Sequence, residues 1–354
     1  MASADLYDVI VVGAGLTGAL VASTLAEEGL QVVVLEATQA LGGTVRRQPS
    51  LALLGTPEPF AELQRQQGEA FAQTLWKLTS ENLTRLEDLL EQVGLEARRT
   101  GSLRLASNGT QSQVFRESAA QLADQGYAVS IEDDNQDEDL VALSTSDDLI
   151  FEPGALAREL LAHENIIVTL DAEVQALKRR ASGAIGVWAH RRYLWSDKVI
   201  LANGIHATRL RPELATRLHP ICVHTLLFEN SQTLARSLVM DDGHICFLPY
   251  DDQAQLVGWD DNEMDILWRL SAVADQLCPG AQVHERFTTW ATRSNDRLPV
   301  VGQLADDPDI YIVNGLGPFG LNLSVIATDA LVDLVLYDHS SEIFALERFD
   351  QDVR

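Results

Sequence analysis

The chain has 354 residues, 46% of them apolar, and its 52 Asp plus Glu outweigh 26 Lys plus Arg for a formal net charge of −26. The length favours two domains, or one core with a large insertion, and the apolar share can build a sizeable core. Such acidity repels polyanions and argues against duplex DNA, tRNA or an anionic membrane as main partner, because those contacts need Lys and Arg on phosphates.

In chain order, Tyr7 to Val12 is a β-branched apolar run that stops at Gly13, which predicts a buried parallel strand. No basic region precedes it, so it reads as a strand rather than a secretory signal. Gly15 to Glu28 carries Leu16, Ala19, Leu20 and Ala26 at helical spacing, with Gly29 as the stop. Gln31 to Leu35 is a second buried strand, closed by Glu36 and Ala37, and completes a βαβ unit. Residues 58 to 93 read as mostly helical and end at Gly94, and the acidic run Glu132 to Asp139 reads as a solvated loop. A short helix, Ala155 to Leu161, precedes strands at Ile166 to Leu170 and Lys198 to Ala202. From Pro220 to Gly258 short apolar stretches alternate with turns, as in an antiparallel sheet. Ile310 to Asn314 returns to a buried strand, and a last helix covers about Leu323 to Leu336.

Polar residues interrupt every apolar stretch, so no membrane span is expected. Cys222, Cys246 and Cys278 are odd in number and not in CxxC spacing, which predicts no disulfide framework and a cytoplasmic protein. Cys222 and His224 share a strand face while His219 points the other way, so these three do not read as a metal site.

Gly13-Ala14-Gly15-Leu16-Thr17-Gly18 sits between the first strand and the first helix. The first glycine permits the turn and the second lets the backbone approach a pyrophosphate. The third allows helix–strand packing, and the helix N-terminus supplies N–H groups. Glu36, 18 residues after Gly18, is placed to accept hydrogen bonds from ribose hydroxyls and to repel a 2′-phosphate. This predicts a dinucleotide site, and the unit alone does not separate FAD from NAD.

The remaining motifs make that choice. Leu41-Gly42-Gly43-Thr44, Gly101 to Ala106, Phe151 to Leu156, Glu173-Val174, Lys198 to Gly204, Asp296 to Gly302 and Gly315 to Leu321 follow in order along the chain. Together they resemble the FAD enzymes of the D-amino acid oxidase, glycine oxidase and sarcosine oxidase family. The resemblance implies an α/β fold: a discontinuous Rossmann-like FAD-binding domain (1–55, 150–212 and 297–354) carrying an inserted α+β substrate domain (56–149 and 213–296) with a mainly antiparallel sheet. It also implies FAD contacts from Gly43 and Thr44, Val174, Ala202, Gly204, Gly317, Pro318, Phe319, Gly320 and Leu321. The last of these loops would turn backbone N–H groups and a helix N-terminus toward the flavin. Gly315 to Ser324 contains no cysteine, so the flavin is expected to be non-covalent.

The implied reaction is hydride transfer from an amine-bearing carbon to flavin N5, giving an imine. An amino acid substrate needs its carboxylate held, a task suited to arginine. The family's arginine five residues before Asp296 is here Ala291. Arg293, or Arg286 on a preceding strand, is the candidate in its place, with Tyr250 as a hydroxyl and Trp290 as a wall or a core residue. Arg46 and Arg47 would neutralise the pyrophosphate, sit over the flavin, or form a solvated pair. Expected partners are a small amine or amino acid and, as electron acceptor, oxygen or a quinone. Arg293 to Gly302 and Gly315 to Leu321 also resemble the FAD domain of the bifunctional enzyme that modifies the tRNA wobble uridine. A non-catalytic or electron-transferring flavoprotein subunit is the third reading.

Overall fold

A computed structural model describes residues 6–39, 50–133, 140–229, 234–250, 253–260, 262–280 and 282–353. At its centre are the most apolar runs of the sequence. Leu6–Val12 lies between Arg192–Leu201 and Val32–Leu35, parallel to both, with Ile10 opposite Val33 and Val199. Ile166–Thr169 and Asp307–Asn314 extend this parallel arrangement at its two sides. Val9, Ile10 and Val11 are fully buried, because helices or loops cover both faces of the sheet. The strand expected at Lys198 to Ala202 begins earlier, at Arg192. His190 and Arg191 both adopt positive φ and turn a hairpin that has no Asn-Gly to announce it.

One face of this sheet packs under helix Leu16–Glu27 and helix Ser324–Tyr337. The stretch Gly320–Tyr337 is long and apolar enough to cross a membrane by length and composition alone, although Asp329 and Asp333 interrupt it. Its mean hydropathy is 1.4 over 18 residues, but 61% of it is buried inside the protein. There it packs on the first helix and on Glu69–Gln92. The helix expected across 58 to 93 is two helices, Phe60–Gln67 and Glu69–Gln92, parted at Gly68 by a φ of +90°. The short helix at 155 begins two residues earlier, with Pro153 in its first turn.

A second eight-stranded sheet runs in the spatial order Val283–Ser294, Leu218–Glu229, Gln253–Trp259, Ile245–Pro249, Ser237–Met240, Ser102–Leu105, Val141–Thr145 and Val129–Asp133. It is antiparallel except where Ser237–Met240 meets Ser102–Leu105. Two expectations change here. Glu132 and Asp133 belong to the last of these strands, and Glu132 forms a two-bond pair with Arg236 instead of lying in a loop. Residues 134–139 of that acidic run lie outside the described residues. Arg286 shares one continuous strand with Arg293 rather than lying on a preceding one.

A buried polar cluster fixes the segment that joins the two sheets. Asp148 accepts from Leu54 N at 2.6 Å, from Ser102 Oγ at 2.5 Å and from Thr145 Oγ1. Arg104, 2% exposed, donates to the carbonyls of Leu54 and Thr56. Burial pushes the Asp148 carboxyl up from its ordinary value, against the pull of Arg104 and the two hydroxyls.

Candidate functional site: a cleft between two glycine loops

The first strand runs into Gly13 at φ +106°, where a Cβ would lie 2.7 Å from the carbonyl oxygen of Ala202 on the neighbouring strand. Gly18 lets the helix close on that turn, since a Cβ there would stand 2.0 Å from Gly13 O. Gly15 caps helix Leu16–Glu27 without any side-chain cap, so the first-turn N–H groups face the cleft without a capping acceptor. An anion is their natural partner. Glu36 is 8% exposed at the end of the second strand. Its Oε2 accepts from Ala14 N at 2.9 Å, and its Oε1 accepts from Thr38 N at 2.9 Å and Thr38 Oγ1 at 2.8 Å. A carboxylate has about four acceptor sites, which leaves room for a ribose hydroxyl.

These groups open onto a cleft of about 710 Å³. Of the residues expected at the cofactor, Gly13, Gly15, Leu16, Thr17, Glu36, Ala37 and Val174 line it, as do Ala202, Gly204, Gly317, Gly320 and Leu321. Gly18 stands behind the turn. Pro318 and Phe319 are not in the lining, and the Phe319 ring meets Trp259 edge-on, 4.9 Å between centroids. Gly43, Thr44, Arg46 and Arg47 lie outside the described residues.

The second glycine loop is tied through Asn314 to the turn at Asn203-Gly204, which follows the strand Arg192–Leu201. Its Nδ2 donates to Gly204 O at 2.9 Å, and its Oδ1 accepts from Gly315 N at 2.8 Å. Gly317 N donates to Thr292 O at 2.8 Å, which fixes the loop to the edge of the second sheet. One expectation is corrected here. The N–H of Val325, in the first turn of the helix after the loop, is taken within the protein and is not free for the cofactor. A 3₁₀ turn, Gly320–Leu323, intervenes, and Asn82 Oδ1 takes the N–H of Val325 at 2.9 Å.

Sequence reasoning missed Asn203 and Thr292. Both line the cleft, and Asn203 Oδ1 and Thr292 Oγ1 are buried without a hydrogen-bond partner. An unsatisfied buried polar atom costs about 1–3 kcal/mol. A polar ligand in the cleft supplies both partners: the ribityl hydroxyls and ring N–H of a flavin can donate to Asn203 Oδ1, and Thr292 Oγ1 can donate or accept. Asn203 lies within the motif that ends the strand at Leu201, yet its signal there is only an Asn before a Gly. Thr292 carries no sequence signal.

His206 and Arg209 also line the cleft. Burial first, and Arg209 second, hold the His206 imidazole below its ordinary pKa. Trp290 is 46% exposed on the lip of the cleft, so it is a wall residue and not a core one. Tyr250 is absent from the lining. Its hydroxyl bonds Ser50, its ring lies under the Arg98 guanidinium at 5.9 Å, and burial pushes its pKa up. It packs against the apolar cluster that includes Leu51, Leu53, Leu248, Trp259 and Ala291.

The candidate arginines separate. Arg286 is exposed, paired in register with Leu226. Arg293 lies two residues beyond Ala291 and on its face, opposite His219 and bridged to Leu316. It lines a second, smaller cavity with His219, Ser294, Asn295 and Arg297. Cys222 Sγ approaches His224 Nε2 at 3.5 Å, and His224 Nδ1 meets Thr288 Oγ1 at 2.9 Å, while His219 bonds Asn295 from the other face. Among the described residues no group of acids, histidines and cysteines is gathered as for a metal ion.

The family model described as DAO: FAD dependent oxidoreductase matches residues 8–334. A probable oxidoreductase, OrdL, of Haemophilus influenzae is 34% identical over 89 residues, which is 25% of this chain and 21% of that protein. The tRNA 5-methylaminomethyl-2-thiouridine biosynthesis bifunctional protein MnmC of Pseudomonas putida is 28% identical over 84% of this chain and 48% of its own length. The chain therefore spans less than half the length of these curated relatives. The crystal structure of L-proline dehydrogenase from P. horikoshii superposes with a TM-score of 0.82 at 14% identity, covering 98% of this chain and 99% of that one.

Proposed function

Because the chain belongs to the DAO family of FAD dependent oxidoreductases, we propose that it oxidises the C–N bond of a small amine or amino acid to an imine. The observation that carries the reading is the cleft itself, with two glycine loops facing across it and two orphaned polar atoms, Asn203 Oδ1 and Thr292 Oγ1, in its wall. When bound, FAD supplies the hydride acceptor at N5.

The chain's own groups have separate tasks in this reading. N–H groups at Gly15 to Thr17 hold the pyrophosphate, and Glu36 holds the adenosine ribose. Thr292 Oγ1 and Asn203 Oδ1 orient the polar edge of the cofactor. The backbone at Gly317 to Leu321 lies along the wall that adjoins the second sheet. Trp259, Phe319 and Ala291 exclude water from the sheet side. Tyr250 is proposed to position that apolar wall from behind, through its bond to Ser50, without touching the substrate. Arg293 is the better placed of the two arginine candidates, because it shares the face of Ala291, which lines the cleft. None of the three cysteines lines the cleft, which supports a non-covalent cofactor.

The test is anaerobic mixing of the flavin-loaded protein with amines and amino acids, following loss of the flavin absorbance. Bleaching by at least one class supports the reading, and bleaching by none overturns it. A second reading rests on the match to the bifunctional tRNA-modifying protein, whose printed name carries a methylaminomethyl group, itself an amine. The net charge of −26 opposes tRNA binding. Bleaching by the modified nucleoside and tight binding of whole tRNA would favour that second reading.

A further inference from the structure

We infer that Asn82 and Asn322 are positioning residues for the reduction of the flavin. From behind the cleft they fix the backbone of the turn Gly320–Leu323, and through it the electron affinity of the bound cofactor. The inference rests on the family's cofactor and not on the amine-oxidising reading.

The described lining of the cleft includes Gly317, Gly320, Leu321 and Ser324 but neither asparagine. Both asparagine side chains are buried, and each uses both ends of its amide on backbone groups. Asn82 Nδ2 donates to Leu321 O at 2.7 Å, and its Oδ1 accepts from Val325 N at 2.9 Å. Asn322 Oδ1 accepts from Leu53 N at 2.9 Å, and its Nδ2 donates to Gly55 O at 3.1 Å. An amide carries a donor and an acceptor on one short stem, so it sets two peptide groups at once. Neither a carboxylate nor an apolar side chain does that.

These bonds close a ring. Trp76, Thr79 and Asn82 recur every three residues on helix Glu69–Gln92, and all three are buried on one face of it. There Thr79 Oγ1 accepts from Gly55 N at 2.8 Å. The Trp76 ring lies so near that a Cβ at Gly55 would stand 2.2 Å from it. Leu54, the preceding residue, is held by Asp148 and Arg104. Helix, residues 51–55 and turn are therefore each bonded to the other two. The start of the loop is fixed separately, by Gly317 N on Thr292 O. The loop that walls the cleft is thus pinned by the second sheet where it enters and by the two amides where it leaves.

Reduction adds negative charge to a flavin, and fixed backbone dipoles beside the ring favour one state over the other. Their effect depends on placement to within about 0.5 Å. A turn released from its amides relaxes and alters that preference, whatever the substrate.

The experiment compares Asn82→Ala and Asn322→Ala with the parent, each as the whole chain loaded with FAD. Ser118→Ala is the control. Ser118 is equally buried and accepts from Ala61 N at 3.0 Å, but it lies in helix Gly109–Asp124 and not in the cleft lining. The readouts are thermal unfolding of the apoprotein and the midpoint potential of the bound flavin, measured by chemical reduction beside a redox dye. All three variants lose a buried hydrogen bond and should melt below the parent. The amide variants alone should shift the potential, by at least about 30 mV, a tenfold change in the affinity for reduced relative to oxidised flavin. Thr79→Val keeps the side-chain shape and loses the bond to Gly55 N. It decides the matter should the amide variants fail to fold or to hold FAD, with an expected shift of about 14 mV, or threefold. Chemical reduction needs no substrate, so failure of the amine-oxidising reading leaves this result standing. Amide variants that melt lower yet move the potential no further than Ser118→Ala overturn the inference. So does an unmoved potential in Thr79→Val where that variant decides.

Discussion

Gly18→Ala tests the link between packing and cofactor affinity most directly. A Cβ at this position would stand 2.0 Å from the carbonyl oxygen of Gly13, a backbone atom that cannot swing away. Ordinary contact begins at 3.4 Å, so helix and turn must part by more than about 1 Å. Overpacking of this kind costs about 1–3 kcal/mol of stability. The same displacement moves the uncapped N-terminus at Gly15 away from the pyrophosphate. Losing the alignment of one charged-group hydrogen bond, at about 1.5–3 kcal/mol, weakens FAD binding about tenfold to a hundredfold. Gly29→Ala is the control. Its φ of +88° strains any side chain, by about 1–2 kcal/mol, but nothing lies within 4 Å of the new carbon. Titration of apoprotein with FAD, read by flavin fluorescence, and thermal unfolding of both variants complete the assay. Gly29→Ala should lose stability and keep its affinity. Unchanged FAD affinity in a folded Gly18→Ala protein would refute the argument.

Thr292→Val removes a buried hydroxyl that has no partner in the flavin-free protein, so apoprotein stability should hold or rise, by up to about 1–3 kcal/mol. FAD affinity measured by the same titration should nevertheless fall, by about 0.5–1.5 kcal/mol. Asp148→Ala strands Leu54 N, Ser102 Oγ and Thr145 Oγ1 beside buried Arg104, and urea unfolding should show a loss of about 3–5 kcal/mol. His206 has a folded pKa below its ordinary value near 6.5. As pH falls through 6.5 the unfolded chain takes up a proton that the folded chain resists, so this residue makes apoprotein stability decline there and has no effect above that range. His206→Gln should flatten that part of the profile in thermal melts across pH.

The parallel sheet was legible because its strands are buried on both faces and so read as unbroken β-branched runs, Tyr7 to Val12 above all. The first glycine loop was legible because each glycine has a local steric duty. What the sequence hid is long-range. Thr292 and Asn203 look ordinary along the chain, and only the meeting of a strand edge with a glycine turn buries their oxygen atoms without partners. Asn82 is likewise silent in sequence, a polar residue in a long helix. It caps another helix more than two hundred residues away and so removes N–H groups that the local pattern assigned to the cofactor. Trp290 shows the converse. A tryptophan within a strand suggests core, but this strand lies at the sheet edge and leaves the ring half-exposed on the cleft. Arg293 was found as a residue type, and its separate cavity emerged only from the strand register.

The electron acceptor follows from where the positive charges lie. Oxygen accepts its first electron as superoxide, an anion, and a fixed cation beside it stabilises that step. The chain has three lysines, and none lines the cleft. Lys77 is on the exposed face of helix Glu69–Gln92, paired with Glu81 at 3.5 Å. Lys178 is on the edge strand Ala176–Arg179, and Lys198 donates to Tyr311 Oη at 3.4 Å within the first sheet. Arg269 lies near the strand Gln253–Trp259 but is surrounded by Asp241, Asp260 and Asp265, which cancel its charge. Arg209 lines the cleft within reach of Glu173, at 3.9 Å. The cleft described here thus offers a developing superoxide little positive field, within a protein of net charge −26. A neutral quinone or dye needs no such cation. We therefore propose that the protein behaves as a dehydrogenase, with slow reoxidation in air and faster turnover with an artificial quinone. Stopped-flow mixing of substrate-reduced protein with air-saturated buffer measures the first rate, and steady-state turnover with the quinone measures the second. Reoxidation in air that matches turnover and yields stoichiometric hydrogen peroxide would refute the charge argument. It would place beside the flavin a cation other than Arg209, which lines the cleft next to Glu173.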